Sequence, residues 1–468
     1  MRINKAIIFS FILLFLFCKP LYTQTIEGKW YGTLQIENTS LPLSFTISLV
    51  GNSLKGTMDS PSQGVSDIEI ESVTFENSLL QIKHSSIMME YTGVCTGDKI
   101  IGTFRQSGLS LPLNLSRRAP LGSGRPQTPD KPYPYRSEEI LFTNYKDSIV
   151  LSGTLTLPKK DSVYNAIILI SGSGPQNRDQ EIMGHKPFLI LSDHLTKAGF
   201  AVLRFDDRGF GLSGGNFAKA ITTDFAEDVY WACQFLRERG DIGRIGLIGH
   251  SEGGTVASMV ASKYRDEISF IVLMAATALP GKEIILAQQE LISSAGGISA
   301  EDIASYRKIN EMIFDLLCND IDDLSAVRVR VAEILRGETK GSIPESAIKQ
   351  QVNSLTSPWM IFFLNYNPSD ALKHITCPVL AINGTKDLQV PSKENLDAIF
   401  YAITEEERPN NKVVTHSNIN VTTIEFEGLN HLFQYAKSGH PNEYSTIEET
   451  INAEVLETIK NWILSVLH

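Results

Sequence analysis

Ser251 stands in Gly249-His250-Ser251-Glu252-Gly253, a hydroxyl with a glycine two residues to either side. A serine hydroxyl attacks carbonyl carbon well only when a base takes its proton, and a neutral imidazole oriented by a carboxylate is the usual base. The glycines bear on how such a serine is presented. Residues 244–249 are aliphatic and strand-like, and residues 252–264 have the small and apolar spacing of a helix. A chain that passes from strand to helix in one tight turn strains the serine and leaves no room for side chains two residues away. The turn would lift the hydroxyl above the sheet edge. It would also aim the helix N-terminus at the same place, making the backbone N–H of Glu252 an expected oxyanion donor.

After such a turn, the acid and then the histidine are expected further along the chain. Residues 377–391, CPVLAINGTKDLQVP, read as a buried strand entering a loop with Asp387, and Pro391 stops the strand. Residues 421–434, VTTIEFEGLNHLFQ, place His431 just past the last strand on a loop opened by Gly428. Asp387 and His431 are the expected acid and base. His250 is expected to pack against or line the site. His185 and His194 fall on or beside an early helix, His374 precedes a strand, and His440 lies in a polar loop. Asp370 reads as a helix cap.

The second oxyanion donor is expected from AIILISGSGPQNRD, residues 166–179, where small residues let a backbone N–H approach a substrate oxygen. Ser173 is the assigned donor, with Gly172 beside it. A phosphate loop is excluded because the Lys-Ser/Thr pair is missing. In RFDDRGFGLSGG, residues 204–215, Asp206 and Arg208 read as part of an internal carboxylate–guanidinium brace.

Elements that could hold these residues are legible from the alternation of patterns. From residue 138 onward, uniformly apolar runs (AIILISG, AVLRF, RIGLIGH, FIVLMAA) alternate with amphipathic helical ones. Strands apolar on both faces expect helices on both faces, so residues 138–468 are read as an α/β domain with a doubly wound, mostly parallel sheet. Residues 278–368 exceed what such a sheet needs. Ile303, Tyr306, Ile309, Met312, Ile313, Leu316 and Leu317 follow helical spacing, so this stretch is expected to form a helical cap. Trp359 and Phe362, within WMIFFL, either line an acyl pocket or pack the core.

Residues 24–117 differ in texture: short alternating segments separated by turns such as Gly51-Asn52 and Gly97-Asp98 predict a small antiparallel barrel or sandwich. No reactive side chains converge there, so it reads as a structural or targeting module, with ligand binding the alternative. Residues 118–137, rich in Pro and Gly, read as the linker. Residues 1–23 carry Arg2 and Lys5 ahead of an apolar run from Ala6 to Cys18, too short to span a bilayer and suited to a signal peptide. Export is therefore expected, with cleavage before Gln24 and no stable membrane insertion afterwards. Bulky Leu16 and Phe17 argue against lipidation at Cys18. The four remaining cysteines lack Cys-x-x-Cys spacing and are expected to be buried thiols.

Formal charge is −11, and −14 without Arg2, Lys5 and Lys19, with no clustered basic face, so nucleic acid is excluded as a partner. With no His-Glu-x-x-His, thiolate cluster or dinucleotide loop, no metal or organic cofactor is expected.

Together, SGSGPQNRD, RFDDRGFGLSGG, GHSEGG, NGTKDLQVP and GLNHLFQ resemble the α/β-hydrolase superfamily, in particular exported bacterial esterases related to serine aminopeptidase-like hydrolases. The resemblance runs from about residue 138 to the C-terminus. It implies Ser251 as nucleophile, Asp387 as acid, His431 as base, and Ser173 and Glu252 as oxyanion donors. Two departures stand out: Ser171-Gly172 replaces the common His-Gly, and residues 404–420 form an insertion between acid and base. The expected substrate is a small acyl ester, because a leaving alcohol needs no special protonation. Peptidase or amidase action is the alternative, for which Glu283, Glu290, Glu301, Asp302, Glu311 or Asp315 would hold a free amine. Thioester hydrolysis or acyl transfer comes next, and a non-catalytic binding protein last.

Overall fold

The computed structural model describes residues 25–467, except 37–38, 52, 61–64, 107–108, 118–124, 160–161, 320–322, 340–343, 406–413 and 416–419. The predicted signal segment, the start of the predicted linker and most of the insertion at residues 404–420 lie outside the described residues. The chain divides into two compact units after Pro120.

The N-terminal unit is one antiparallel sheet. Its strands are β1 (Gly28–Ile36), β2 (Thr39–Val50), β3 (Ser53–Ser60), β4 (Val65–Glu69), β5 (Ser72–Glu76), β6 (Leu79–His84), β7 (Met89–Thr96), β8 (Lys99–Gln106), β9 (Leu109–Pro112) and β10 (Leu115–Ser116). They run in the order β4-β3-β2-β1-β10-β8-β7-β6-β5, with β9 on β8. Alternation puts Trp30, Gly32 and Leu34 of β1 on the buried face. There Phe45 and Tyr91 stack at 5.7 Å. A Cβ on Gly56 of β3 would lie 3.3 Å from Val73 of β5, so the two ends of the sheet curl toward each other into a half-barrel.

The C-terminal unit is a nine-stranded sheet with helices on both faces. In chain order it contains β11 (Arg136–Asn144), β12 (Ile149–Leu157), β13 (Tyr164–Ile170), α1 (Pro187–Lys197), β14 (Ala201–Phe205), α2 (Thr222–Arg237), β15 (Ile242–His250), α3 (Glu252–Lys263) and β16 (Phe270–Met274). After five helices, α4 (Gly281–Ala295), α5 (Ala300–Asn319), α6 (Leu324–Thr339), α7 (Glu345–Leu355) and α8 (Pro358–Asn365), and a short turn of helix, α9 (Ser369–Leu372), the sheet resumes with β17 (Val379–Gly384). Then come α10 (Ser392–Thr404), β18 (Val414–Thr415), β19 (Asn420–Phe426) and α11 (Ala453–Leu467). Spatial order is β11-β12-β14-β13-β15-β16-β17-β19-β18.

The period of two in β13 explains the two layers of core. Ala166, Ile168 and Ile170 face a cluster built with α2, α3 and α10, whereas Ile167 and Leu169 face one built with α1 and α11. Each of the buried isoleucine and leucine side chains among them contributes about 1.5–3 kcal/mol, so the sheet is the rigid platform of the unit.

Helices α4 to α8 have their own core, centred on Phe314, Leu317, Val331, Ile348 and Leu364. The buried stripe of α5 is narrower than its sequence pattern: Ile313 and Leu317 are buried, while Tyr306 and Met312 are 51% and 43% exposed. Helix α8 starts where Ser357 accepts from the Met360 N–H and Pro358 takes the first helical position. Residues 125–127, at the end of the proline-rich stretch, are fastened to the C-terminal unit. Arg125 donates to the carbonyls of Met183 and Ile447, and Gln127 bonds the backbone of Thr450 and Ile451. Cys95, Cys233 and Cys377 are buried free thiols, and Cys318 is half-buried. Among the described residues, no helix is long and apolar enough to cross a membrane.

Candidate active site

Strands β13, β15, β16, β17 and β19 are mutually parallel neighbours, so the loops leaving their C-terminal ends gather at one edge of the sheet. Ser171 to Gln176 follow β13, Ser251 follows β15, Asp387 follows β17 and His431 follows β19. Topology thus delivers residues hundreds of positions apart to one rim.

Ser251 has φ 55° and ψ −122°, a strained backbone for a residue with a side chain. Its N–H is held by the Met274 carbonyl at 2.9 Å. The flanking glycines are obligatory on steric grounds: a Cβ on Gly249 would lie 2.0 Å from the Gly253 oxygen, and one on Gly253 would lie 2.2 Å from the Ile170 oxygen. Gly172 approaches from the neighbouring loop, where an added Cβ would sit 3.2 Å from the Ser251 Cβ.

His431 Nδ1 lies 2.7 Å from Asp387 Oδ2, and both side chains are buried. A carboxylate only accepts, so Nδ1 carries the proton and Nε2 keeps its lone pair. The other oxygen of Asp387 accepts from the N–H groups of Gln389 and Val390 at 2.8 and 2.9 Å. Those bonds fix the carboxylate independently of the imidazole.

His250, expected to pack against or line the site, packs behind it. Its ring lies 4.7 Å from that of His431, its Nε2 meets the His431 carbonyl at 2.9 Å and its Nδ1 meets the Gln180 amide at 2.6 Å. The carbonyl only accepts, so Nε2 is the donor and Nδ1 the acceptor, and neither nitrogen is left for substrate. Burial, with the nearby His431, pushes the His250 ring down to about 3, so it stays neutral. Of the other histidines, His185 is buried between Thr450 and the Tyr444 carbonyl, and His440 accepts from the Asn442 N–H.

The loop after β13 is pinned from below. Ser171 Oγ donates to Asp207 Oδ1 at 2.7 Å, and the Gln176 N–H donates to Oδ2 at 2.8 Å. Arg178 forms a two-pronged contact with Asp206, at 3.0 and 2.8 Å, and continues to Ser152 and Thr154. The brace read in residues 204–215 exists, but each charge finds its partner outside that segment. Asp206 pairs with Arg178, while Arg208 pairs with Asp228 and Asp147. Asp370 is not a cap: Asn367 accepts the Ser369 N–H, and Asp370 pairs with Lys373.

Burial pushes the Asp207 carboxyl up to about 8, and the carboxylates of Glu252 and Asp228 add to the shift. In the unfolded chain an aspartate titrates near 4. Between those values folding must take up a proton at Asp207, so its burial costs more stability as pH rises from about 4 to about 8. Asp207→Asn keeps an acceptor for Gln176 and removes the proton uptake. Its thermal midpoint is expected to gain on the native protein by at least about 2–4 °C between pH 5 and pH 8, the shift that roughly 1 kcal/mol brings. A gap that stays constant across that range would contradict the assignment.

From the cap, Trp359 reaches into the site: its Nε1–H donates to Glu252 at 2.7 Å, and its ring stacks on Phe363 at 5.1 Å. Phe362 stacks on Tyr366. A cleft of about 760 Å³ opens between α4, α5 and the Asp387 loop, with Leu279, Leu286, Leu388 and Pro391 among its walls.

Residues 188–328 match the family described as serine aminopeptidase, S33. The chain is also similar to esterase EstD of Thermotoga maritima, 25% identical over 316 residues that make up 67% of this chain and 65% of that protein. An uncharacterised 31.7 kDa protein of Escherichia coli is 24% identical over 268 residues, 56% of this chain and 86% of its own length. Among solved structures, the chain is similar to the Pyrococcus furiosus esterase Pf2001, at 16% identity and a TM-score of 0.42, over 74% of this chain and 96% of that one. The family match ends at residue 328, and the half-barrel lies outside it.

Four contacts were not read from the sequence: Asp207 with Ser171, Arg178 with Asp206, Gln180 with His250, and Trp359 with Glu252. The run Gln176-Asn177-Arg178-Asp179 carried a signal, since so many polar groups directly after a buried strand must find partners.

Proposed function

We propose that the C-terminal unit hydrolyses carboxylic esters through an acyl-enzyme on Ser251. The observation that carries this reading is the buried bond between His431 Nδ1 and Asp387, at the same sheet edge as the strained turn of Ser251. It leaves Nε2 of His431 to take the Ser251 proton as Oγ bonds to the substrate carbonyl carbon. The carbonyl oxygen becomes an oxyanion, received by the backbone N–H groups of Ser173 and Glu252. Loss of one such donor costs about 3–4 kcal/mol of barrier lowering, so the pinned loop matters as much as the base. His431 returns the proton to the leaving alkoxide. Water, deprotonated by the same imidazole, then releases the acid.

Two observations favour esters over aminoacyl substrates. Glu290 and Glu311 both bind Arg307, at 2.9 and 3.0 Å, and Asp315 binds Lys282, so each of these carboxylates already has a cationic partner. Asp302, another of the acids considered for an amine, bonds Ser299 at the start of α5. The name of the Thermotoga relative, an esterase, points the same way. Turnover of p-nitrophenyl acyl esters should exceed that of aminoacyl p-nitroanilides by about 100-fold or more, the range that a missing recognition contact produces. Faster cleavage of the anilides would replace the ester reading with an aminopeptidase.

A further inference from the structure

Glu252 is almost fully buried, 2% exposed, directly after the nucleophile at the first position of α3. A carboxyl so placed is costly unless its oxygens are satisfied. Its Oε1 accepts from Thr222 Oγ1 at 2.7 Å and from Trp359 Nε1 at 2.7 Å. These two partners belong to two elements: Thr222 opens α2, and Trp359 sits in the first turn of the cap helix α8. The backbone N–H groups proposed to hold the oxyanion belong to Ser173 and Glu252. The Glu252 side chain therefore joins one of these donors to the cap.

We infer that the Glu252 side chain is a positioning residue that fixes the Glu252 oxyanion donor and makes its placement depend on the docking of the cap through Trp359. The inference rests on the acyl-enzyme reading above. Its physical content is mechanical. Without the carboxyl, the first turn of α3 loses its ties to α2 and to the cap, while Ser171 and Gln176 stay bound to Asp207. Trp359 loses the partner of its indole N–H, and α8 loses a tie to the catalytic floor. A displacement of about 1 Å at a transition-state contact costs about 100-fold in rate. Ground-state binding of a short ester makes little use of the oxyanion donors, so KM should move far less than kcat.

The test uses the full chain with Glu252→Ala, Glu252→Gln, Trp359→Phe and the Ala/Phe double variant. The readouts are melting temperature, kcat and KM on p-nitrophenyl acetate, and affinity for an alkyl trifluoromethyl ketone, which forms a tetrahedral oxyanion on the serine. For Glu252→Ala we expect kcat to fall about 100-fold with KM within about threefold, and ketone affinity to fall in step with kcat. Glu252→Gln keeps an oxygen for Thr222 and Trp359 and should recover most of the loss. The double variant should be no slower than Glu252→Ala, because both changes break one link. Three results would overturn the inference: undiminished kcat in Glu252→Ala; a folded Glu252→Gln as slow as the alanine variant; or ketone affinity unchanged while kcat falls. If Glu252→Ala proves unfolded, Trp359→Phe decides, since it must lower ketone affinity. Failure here leaves Ser251→Ala inactive, whereas failure of the acyl-enzyme reading leaves Ser251→Ala active.

Discussion

Ser251→Ala is expected to lower kcat for a p-nitrophenyl ester by about five to six orders of magnitude with no loss of thermal stability. The Ser251 hydroxyl has no part in the turn's backbone bonds, since the N–H to the Met274 carbonyl and the Gly254 N–H to the Ser251 carbonyl survive the change. Alanine also bears the same φ of 55° that serine does, so the strain is neither added nor relieved. What disappears is the atom that bonds to carbon. Circular dichroism melts alongside initial rates separate the two properties. A variant retaining more than about one part in a thousand of native kcat would indicate catalysis that does not pass through Ser251.

Asp387→Asn should cost about 10⁴-fold in kcat, again with the fold intact. The asparagine oxygen can still accept from the N–H groups of Gln389 and Val390, so the loop stays closed. Its amide then faces Nδ1 of His431 across the 2.7 Å contact. An amide donor there requires Nδ1 to accept, which moves the proton to Nε2 and removes the lone pair that Ser251 needs. The deficit should therefore lie in kcat, with KM little altered. Equal kcat in Asp387→Asn and the native enzyme would mean that a different carboxylate orients the base.

How far such expectations were available from the residues alone depends on the range of the interaction involved. The strained turn at Ser251 was legible because its constraint is local: strand, serine and helix are contiguous, and the glycines are needed within two positions of the strain. The double winding was legible from the uniformly apolar strands, and the half-barrel from alternation at period two. Asp387 and His431 could be placed at strand ends from Pro391 and Gly428. Their meeting follows from the parallel order of β15, β16, β17 and β19, which no local pattern contains. Side-chain roles set by distant partners were least legible. His250 reads as packing against or lining the site because it adjoins Ser251, and what decides for packing is Gln180, with 69 residues between them, which takes one of its nitrogens. Arg208 is four residues before Leu212 in a loop full of glycine, yet its partner Asp228 lies one helix later. The same holds for Glu252, whose side chain would read as an ordinary helix-start acid without Trp359 and Thr222 converging on it.

The most direct test of the account is the site of covalent attachment. Full-length protein inactivated by a fluorophosphonate and digested with trypsin should carry the adduct on the peptide running from Ile245 to Lys263, with fragmentation placing it on Ser251 and not on Ser258 or Ser262. Loss of esterase activity should follow that modification one for one. Full inactivation with Ser251 unmodified, or full modification of Ser251 with activity retained, would contradict the acyl-enzyme at this turn.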